Sequence, residues 1–135
     1  MFELLNKFEE DDRFVNYRPI KPITILNYKV EPCDCIISIS KSLDWIEVAP
    51  ILKNYLQWLT ICKNEVIDYF QSRLSDCPED WEEWFRSIEV YNVDITFLAL
   101  DDFGATIRFG ESIFPDHMIE LDLEQHEIIS ERLNG

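Results

Sequence analysis

The segment with the most unusual chemistry is Glu79–Phe85, which combines four carboxylates with three aromatic side chains in seven residues. In a short helix, Trp81, Trp84 and Phe85 would share one side, because residues three and four apart are neighbours on a helix. Two interpretations stay open. The aromatics complete the hydrophobic core, or they anchor a partner within a ring of acids, as expected of a patch that binds a basic protein.

A second acidic group follows from the alternating pattern of Met118–Leu123, which predicts a strand. Successive side chains of a strand point to opposite faces, so Glu120, Asp122 and Glu124 should line one face. Because like charges on one face repel, we expect something cationic to relieve them. The residues that we predict to bind a partner are Glu79, Asp80, Trp81, Glu82, Glu83, Trp84, Asp116, Glu120 and Asp122.

The cysteines and histidines do not form a recognisable catalytic or metal-binding motif. Cys33 and Cys35 are spaced for one face of a strand, but Cys62 lies on an apolar helical stripe and Cys77 has no near neighbour, so we expect buried or idle thiols. Asp116 cannot readily orient His117, the residue beside it, because adjacent strand residues face opposite ways. The sequence also lacks a nucleophile elbow, a phosphate-binding glycine loop and a His-Glu-x-x-His motif. We therefore predict no catalytic residue, no metal and no cofactor.

Charge gives the strongest constraint on the partner. The chain has 135 residues, with 27 acids against 12 bases and a net charge of −15, and residues 76–135 hold 16 of the acids but only three arginines. Such a field repels nucleic-acid phosphates and anionic lipids, so neither is an expected partner. The first residues lack the basic region and the apolar run of a signal peptide. No apolar run reaches the length of about 18 residues that a membrane span needs. We therefore expect a cytoplasmic protein.

The longest apolar stripe identifies the element that should position these residues. Between Leu52 and Leu74, apolar side chains recur at steps of three and four, which predicts a helix over Ile51–Leu74 that packs on a sheet. Pro50 is expected just before its first turn, with Ser42 or Asp44 as caps upstream. The stripe consists of Leu52, Tyr55, Leu56, Leu59, Cys62, Val66, Ile67, Phe70 and Leu74.

The remaining pattern predicts an α+β fold: a single domain over residues 1–135, with an antiparallel sheet of about five strands packed on the long helix and short additional helices. Residues 1–22 form an N-terminal arm, with a short helix up to Asp12 and a connector from Arg13 to Pro22. Ile23–Val30 and Cys35–Ser40 are expected to pair as a hairpin. Strands then follow from Ile88 onward, with a bulge or break near Tyr91-Asn92-Val93.

The order of these elements resembles a family of uncharacterised bacterial domains that close with a strand opened by Phe-Trp-Gly-His-Ser-Ile, an acidic turn and a terminal Gly. The resemblance covers roughly residues 33–135. Phe114, His117 and Ile119 fall on the Phe, His and Ile of that pattern, and Gly135 fits the terminal Gly. The chain departs from the pattern at Pro115, Asp116 and Met118. The family implies no established activity.

The predicted architecture is also similar to that of small α+β immunity proteins, which bacteria pair with toxins. This likeness and the charge together favour a bacterial immunity protein that binds a cognate toxin with a basic surface, such as a nuclease, and occludes its active site. A non-enzymatic adaptor or a homodimeric binding module, joined through a sheet edge or face, is one alternative. A small hydrolase or metal-dependent enzyme using His117 or the cysteines is another. We expect a monomer or a weak homodimer.

Overall fold

The computed structural model describes residues 4–74 and 77–134, and in this part of the chain the main element is a seven-stranded mixed sheet of order β1-β2-β5-β6-β7-β8-β9. Its strands are β1 (Leu5–Glu10), β2 (Phe14–Pro19), β5 (Cys35–Ser40), β6 (Glu89–Ala99), β7 (Asp102–Gly110), β8 (Met118–Glu124) and β9 (Glu127–Asn134). Strands β3 (Ile23–Ile25) and β4 (Tyr28–Val30) form a separate hairpin. The α-helices described are α1 (Trp45–Ile61), α2 (Lys63–Gln71) and α3 (Trp81–Arg86). None of them is long and apolar enough to cross a membrane.

The α+β class is confirmed, whereas the expectation of about five antiparallel strands is wrong. Strands β5 and β6 are parallel, with Ile37 opposite Ile95, and the other neighbours in the sheet are antiparallel. A parallel pair needs a crossover connection, and the helices α1 to α3 provide it here. The additional strands are the two at the N-terminal end of the sheet.

The apolar stripe packs on one face of this sheet as predicted, but it belongs to two helices. Helix α1 begins at Trp45, where the side chain of Asp44 accepts a hydrogen bond from the backbone N–H of Ile46. The expected start at Ile51 is therefore wrong, and Pro50 lies inside the helix. The first helix ends at Ile61 and the second begins at Lys63. Seven residues of the stripe are buried: Leu52, Tyr55, Leu59, Cys62, Val66, Ile67 and Phe70.

The predicted N-terminal arm is wrong where the structure describes it. Leu5–Glu10 and Phe14–Pro19 are antiparallel strands, and the second of them pairs with β5. Short amphipathic runs fit the helical and the strand period about equally well, so tertiary pairing decides between them. The first three residues of the expected helix lie outside the described residues.

The hairpin predicted between Ile23–Val30 and Cys35–Ser40 is also wrong, because Ile23–Val30 closes on itself. Leu26 and Asn27, between β3 and β4, have φ angles of 52° and 63°. Two successive positive φ angles are the signature of the two-residue turn that connects a tight hairpin. Strand β5 is consequently free to pair with β2 and β6.

The C-terminal strands form an antiparallel meander, and its details agree with the alternation in the sequence. The register shifts between Val90 and Asn92, which confirms the irregularity expected there. Strand β9 extends from Glu127 to Asn134. Inward residues of β6, β7 and β8 are buried under the helices, so their alternate neighbours form the opposite face.

Candidate functional site

The face of the sheet opposite α1 and α2, called the open face below, carries a regular array of polar side chains. The register places them in rows that run across the strands. One row is Asn92, Arg108, Glu120 and Arg132, the next is Asp94, Thr106, Asp122 and Ser130, and the third is Thr96, Gly104 and Glu124. Because these residues lie on paired strands, their backbone positions are fixed before any partner arrives.

Two arginines relieve part of the negative charge of this face. Arg108 Nη1 donates to Asn92 Oδ1 at 2.7 Å and to Asp94 Oδ2 at 2.9 Å, and its Nε lies 3.6 Å from Glu120 Oε2. The hydrogen bond to Asp94 is the main reason that the pKa of Arg108 is raised. Arg132 pairs with the other oxygen of Glu120 and lies 3.9 Å from Asp122 Oδ2. Of the three acids of β8 for which cationic relief was expected, Glu120 and Asp122 have it, whereas Glu124 has no ion pair in the described part of the chain.

Beside this ion-pair network the open face has a cleft of about 330 Å³, called the acidic cleft below. Its wall includes two exposed apolar side chains, Leu98 and Ile129, which are 45% and 49% exposed. Asp102 and Glu124 form no ion pair with any residue in the described part of the chain. The carboxylates that line the cleft are Asp94, Asp102, Asp122 and Glu124.

Gly104 lies on the floor of the acidic cleft, in register with Thr96 on one side and Glu124 on the other. A Cβ at this position would come within 2.3 Å of the backbone oxygen of Leu123. Real Cβ atoms do not tolerate such a distance, so the close approach of β7 and β8 requires glycine here. The backbone of β8 therefore occupies the position that a side chain at residue 104 would take.

The aromatic part of the Glu79–Phe85 segment belongs mainly to the core. Trp84 is 1% exposed and Phe85 is 3% exposed. The Trp84 indole N–H donates to Glu111 Oε1 at 2.9 Å, and Trp81 is half-buried with its ring centroid 5.1 Å from that of Trp84. Trp84 and Phe85 therefore complete the hydrophobic core, which is the first of the two interpretations given for this segment. Trp84 cannot meet a partner unless the core opens.

The acids of the same segment remain at the surface, and two of them have local partners. Asp80 caps α3 by accepting from the backbone N–H groups of Glu82 and Glu83 at 3.0 and 3.3 Å. Glu82 pairs with Lys63 at 2.8 Å, which leaves Glu79 and Glu83 exposed and without an ion pair in the described part of the chain.

The predicted binding residues therefore fall into separate groups. Helix α3 packs beside α2, as the 5.3 Å between the ring centroids of Phe70 and Trp84 shows, and so lies on the helix-covered side of the sheet. Glu120 and Asp122 lie on the open face. Asp116 is exposed in the loop between β7 and β8. The fold therefore does not bring the acids of α3 and those of β8 together into one patch.

Both histidines lie at the surface, and of the four cysteines Cys35 and Cys62 are buried while Cys33 and Cys77 are exposed. His126 packs edge-on against Tyr55 and Trp58, with ring centroids 5.6 and 5.0 Å apart. Burial raises the pKa of the Cys35 and Cys62 thiols to about 12, which opposes formation of the reactive thiolate. Within residues 4–74 and 77–134, no group of three or more His, Cys, Asp or Glu side chains is arranged to hold a metal ion.

Reasoning from the sequence left six residues of the open face out of the binding site, although it placed one of them, Glu124, on that face. Alternation within β6 and β7 could have placed some of them on one face, but their grouping depends on pairing between strands, which one sequence does not reveal. They are Asp94, Leu98, Asp102, Arg108, Glu124 and Ile129.

Comparisons of the chain with protein-family models, with curated proteins and with solved structures found no match.

Proposed function

We propose that this chain is a cytoplasmic bacterial immunity protein, which binds a cognate toxin with a basic, nuclease-like active site and blocks it. The observation that carries this proposal is the open face, where five carboxylates face two guanidinium groups beside exposed Leu98 and Ile129. Apolar contacts surrounded by charge of one sign suit a specific complex with a protein of the opposite sign.

Inhibition would follow from rigid occlusion of the toxin's active site, without any chemical step. Carboxylates lie at every second residue along β8, and although Glu120 is held between two arginines, Asp122 and Glu124 present negative charge of the kind that a basic cleft accepts from nucleic-acid phosphates. Since the strands already hold these side chains in place, binding costs little ordering entropy. The surrounding negative field would also speed encounter with a basic toxin. The proposed protein is a binding protein and needs no cofactor.

The alternative of a homodimer or an adaptor built on sheet edges receives less support. The edge strand β1 shifts register between Lys7 and Glu9, and β9 is irregular where it pairs with Asp122 and Leu123. Bulges and charges at edge strands oppose pairing with another chain. Face-to-face association of two copies would bring two acidic surfaces together. A monomer that meets a basic partner is the arrangement that we propose.

The direct test is protection of cells. The proposal expects a toxin domain encoded next to this chain's gene, which should be expressed alone and together with the chain, with an unrelated acidic protein of similar size as the control. The proposal predicts that growth returns only with this chain and that the two proteins elute as one complex. Equal killing in both cultures, with no complex, would contradict it.

A further inference from the structure

We propose that the hairpin of β3 and β4, called the strap below, holds a break between α1 and α2, and that the two helices rejoin as one when the strap is detached. The break lies at Cys62, because α1 ends at Ile61 and α2 begins at Lys63. The inference goes beyond the proposed immunity function and does not depend on it.

The sequence around the break favours an uninterrupted helix. The apolar stripe continues through Cys62 to Val66 and Phe70 at helical steps, and residues 59–66 contain neither glycine nor proline. A sharp break in a helix has an identifiable cause, such as proline, glycine or a group that enters the ladder of backbone hydrogen bonds. Since the first two are missing from this stretch, we look to a group that enters the ladder.

The strap supplies that group. In a continuous helix the carbonyl of Leu59 would accept from the backbone N–H of Lys63, four residues further on. It accepts instead from the backbone N–H of Leu26, in the turn of the strap, at 3.1 Å. Beside it, the Thr60 hydroxyl donates to the backbone oxygen of Thr24 at 2.6 Å. The strap therefore occupies the acceptor through which α1 would continue into α2.

Leu26 holds this position against its own backbone preference. Its φ angle of 52° lies in the left-handed region, which leucine rarely adopts, and its side chain is only 1% exposed. Strained residues of this kind persist only where their surroundings hold them in place. Buried Ile25 and Val30 anchor the strap on either side of the turn. Loss of the Leu26 contact should therefore release the strain and free the Leu59 carbonyl together.

The break sets the position of α3 through its contacts with α2. Lys63 pairs with Glu82 of α3 at 2.8 Å, and Phe70 packs on Trp84 with ring centroids 5.3 Å apart. Because a continuous helix follows one axis, a rejoined α2 would take the direction of α1 and would move these contacts relative to the sheet. The strap is thus a conformational device that controls where α3 lies.

The experiment uses the whole chain and detects individual hydrogen bonds by NMR, as scalar couplings between the donor nitrogen and the acceptor carbonyl carbon. In the parent chain we expect the coupling that joins Leu26 to Leu59. Leu26→Pro removes the N–H and cannot adopt a positive φ angle, so it detaches the strap. In this variant we expect a coupling from Lys63 to Leu59 instead, with amide exchange at Lys63 at least about tenfold slower than in the parent.

Leu26→Ala is a milder variant, which decides the matter if Leu26→Pro does not fold. Alanine keeps the N–H but loses the buried side chain, so Lys63 exchange should slow by about threefold. Asn27→Gly is the matched control, because Asn27 lies in the same turn with a φ angle of 63° but is exposed. It should leave Lys63 exchange unchanged within about twofold. Slower exchange separates a rejoined helix from a general loss of stability, which would make exchange faster.

Three results would overturn the strap. The first is a parent chain without the coupling between Leu26 and Leu59. The second is a folded Leu26→Pro chain, recognised by unchanged signals of β6 to β8, in which Lys63 exchanges as fast as in the parent, because the break would then belong to the helices themselves. The third is faster Lys63 exchange in Leu26→Ala, or equal slowing by Asn27→Gly.

Discussion

Replacement of Glu111 by alanine should destabilise the fold, because this carboxylate is held inside it. Glu111 is 6% exposed, and both of its oxygens accept hydrogen bonds, from the Trp84 indole at 2.9 Å and from the backbone N–H of Phe114 at 2.7 Å. It joins α3 to the loop after β7. Alanine would leave two donors without this acceptor, one of them on a buried indole.

The magnitude follows from the two bonds. A hydrogen bond to a charged group contributes about 1.5–3 kcal/mol, and a buried donor left without a partner costs a similar amount. Relaxation and water entry at the half-buried Phe114 side reduce the sum, so we expect Glu111→Ala to lower the free energy of unfolding by about 3 kcal/mol. Glu111→Gln keeps one acceptor oxygen and should cost about half as much.

Urea unfolding followed by circular dichroism measures this loss, and the indole N–H signal of Trp84 reports the broken bond directly. Glu79→Ala is the matched control, since an exposed acid without an ion pair should change stability by no more than about 0.5 kcal/mol. If Glu111→Ala costs less than about 1 kcal/mol, or no more than the control, the buried acceptor is not a stabilising link and the reasoning fails.

Three further predictions concern separate features. Gly104→Ala should lower stability by about 1–3 kcal/mol, measured by urea unfolding, because its Cβ meets the Leu123 backbone oxygen, and an unchanged midpoint would contradict the close approach of the strands. At pH 8 the exposed thiols of Cys33 and Cys77 should react quickly with a disulfide reagent, whereas Cys35 and Cys62 should react only on unfolding, so four fast thiols would refute their burial. Hydrogen bonds from Lys7 and then Lys41 lower the pKa of Glu10 to about 2, so these pairs are complete above about pH 4.5 and are lost as the pH falls towards 2. Carboxyl NMR titration should show this low pKa, and Lys7→Met should raise it towards the usual value.

Local patterns predicted the parts of the fold that depend on local chemistry. The helical stripe through Tyr55 and Phe70 and the alternation around Leu121 could be recognised because each element buries one face. The need for a cation beside Glu120 also followed from charge repulsion along one strand. The position of that cation, Arg108, depends on which strand lies next to β8, and the sequence of one chain does not reveal it.

The candidate site was predicted in part for the same reason. Glu120 and Asp122 lie on the open face as their alternation suggested, but the aromatic cluster around Trp84 was as compatible with a core as with a surface. Burial of that indole depends on its acceptor at Glu111, 27 residues away in the sequence. Non-local contacts of this kind also decided that the N-terminal run became strands β1 and β2.

The central claim is that the open face, and not the acidic side of α3, meets the basic partner. Its most direct test is the dissociation constant of the complex with the toxin domain, measured by calorimetry at 150 mM salt for the parent chain and two double variants. We expect Asp102→Asn/Glu124→Gln to weaken binding at least about tenfold and to reduce its salt dependence, with Glu79→Gln/Glu83→Gln close to the parent. An unchanged constant for the first variant, with a clear loss for the second, would contradict the account.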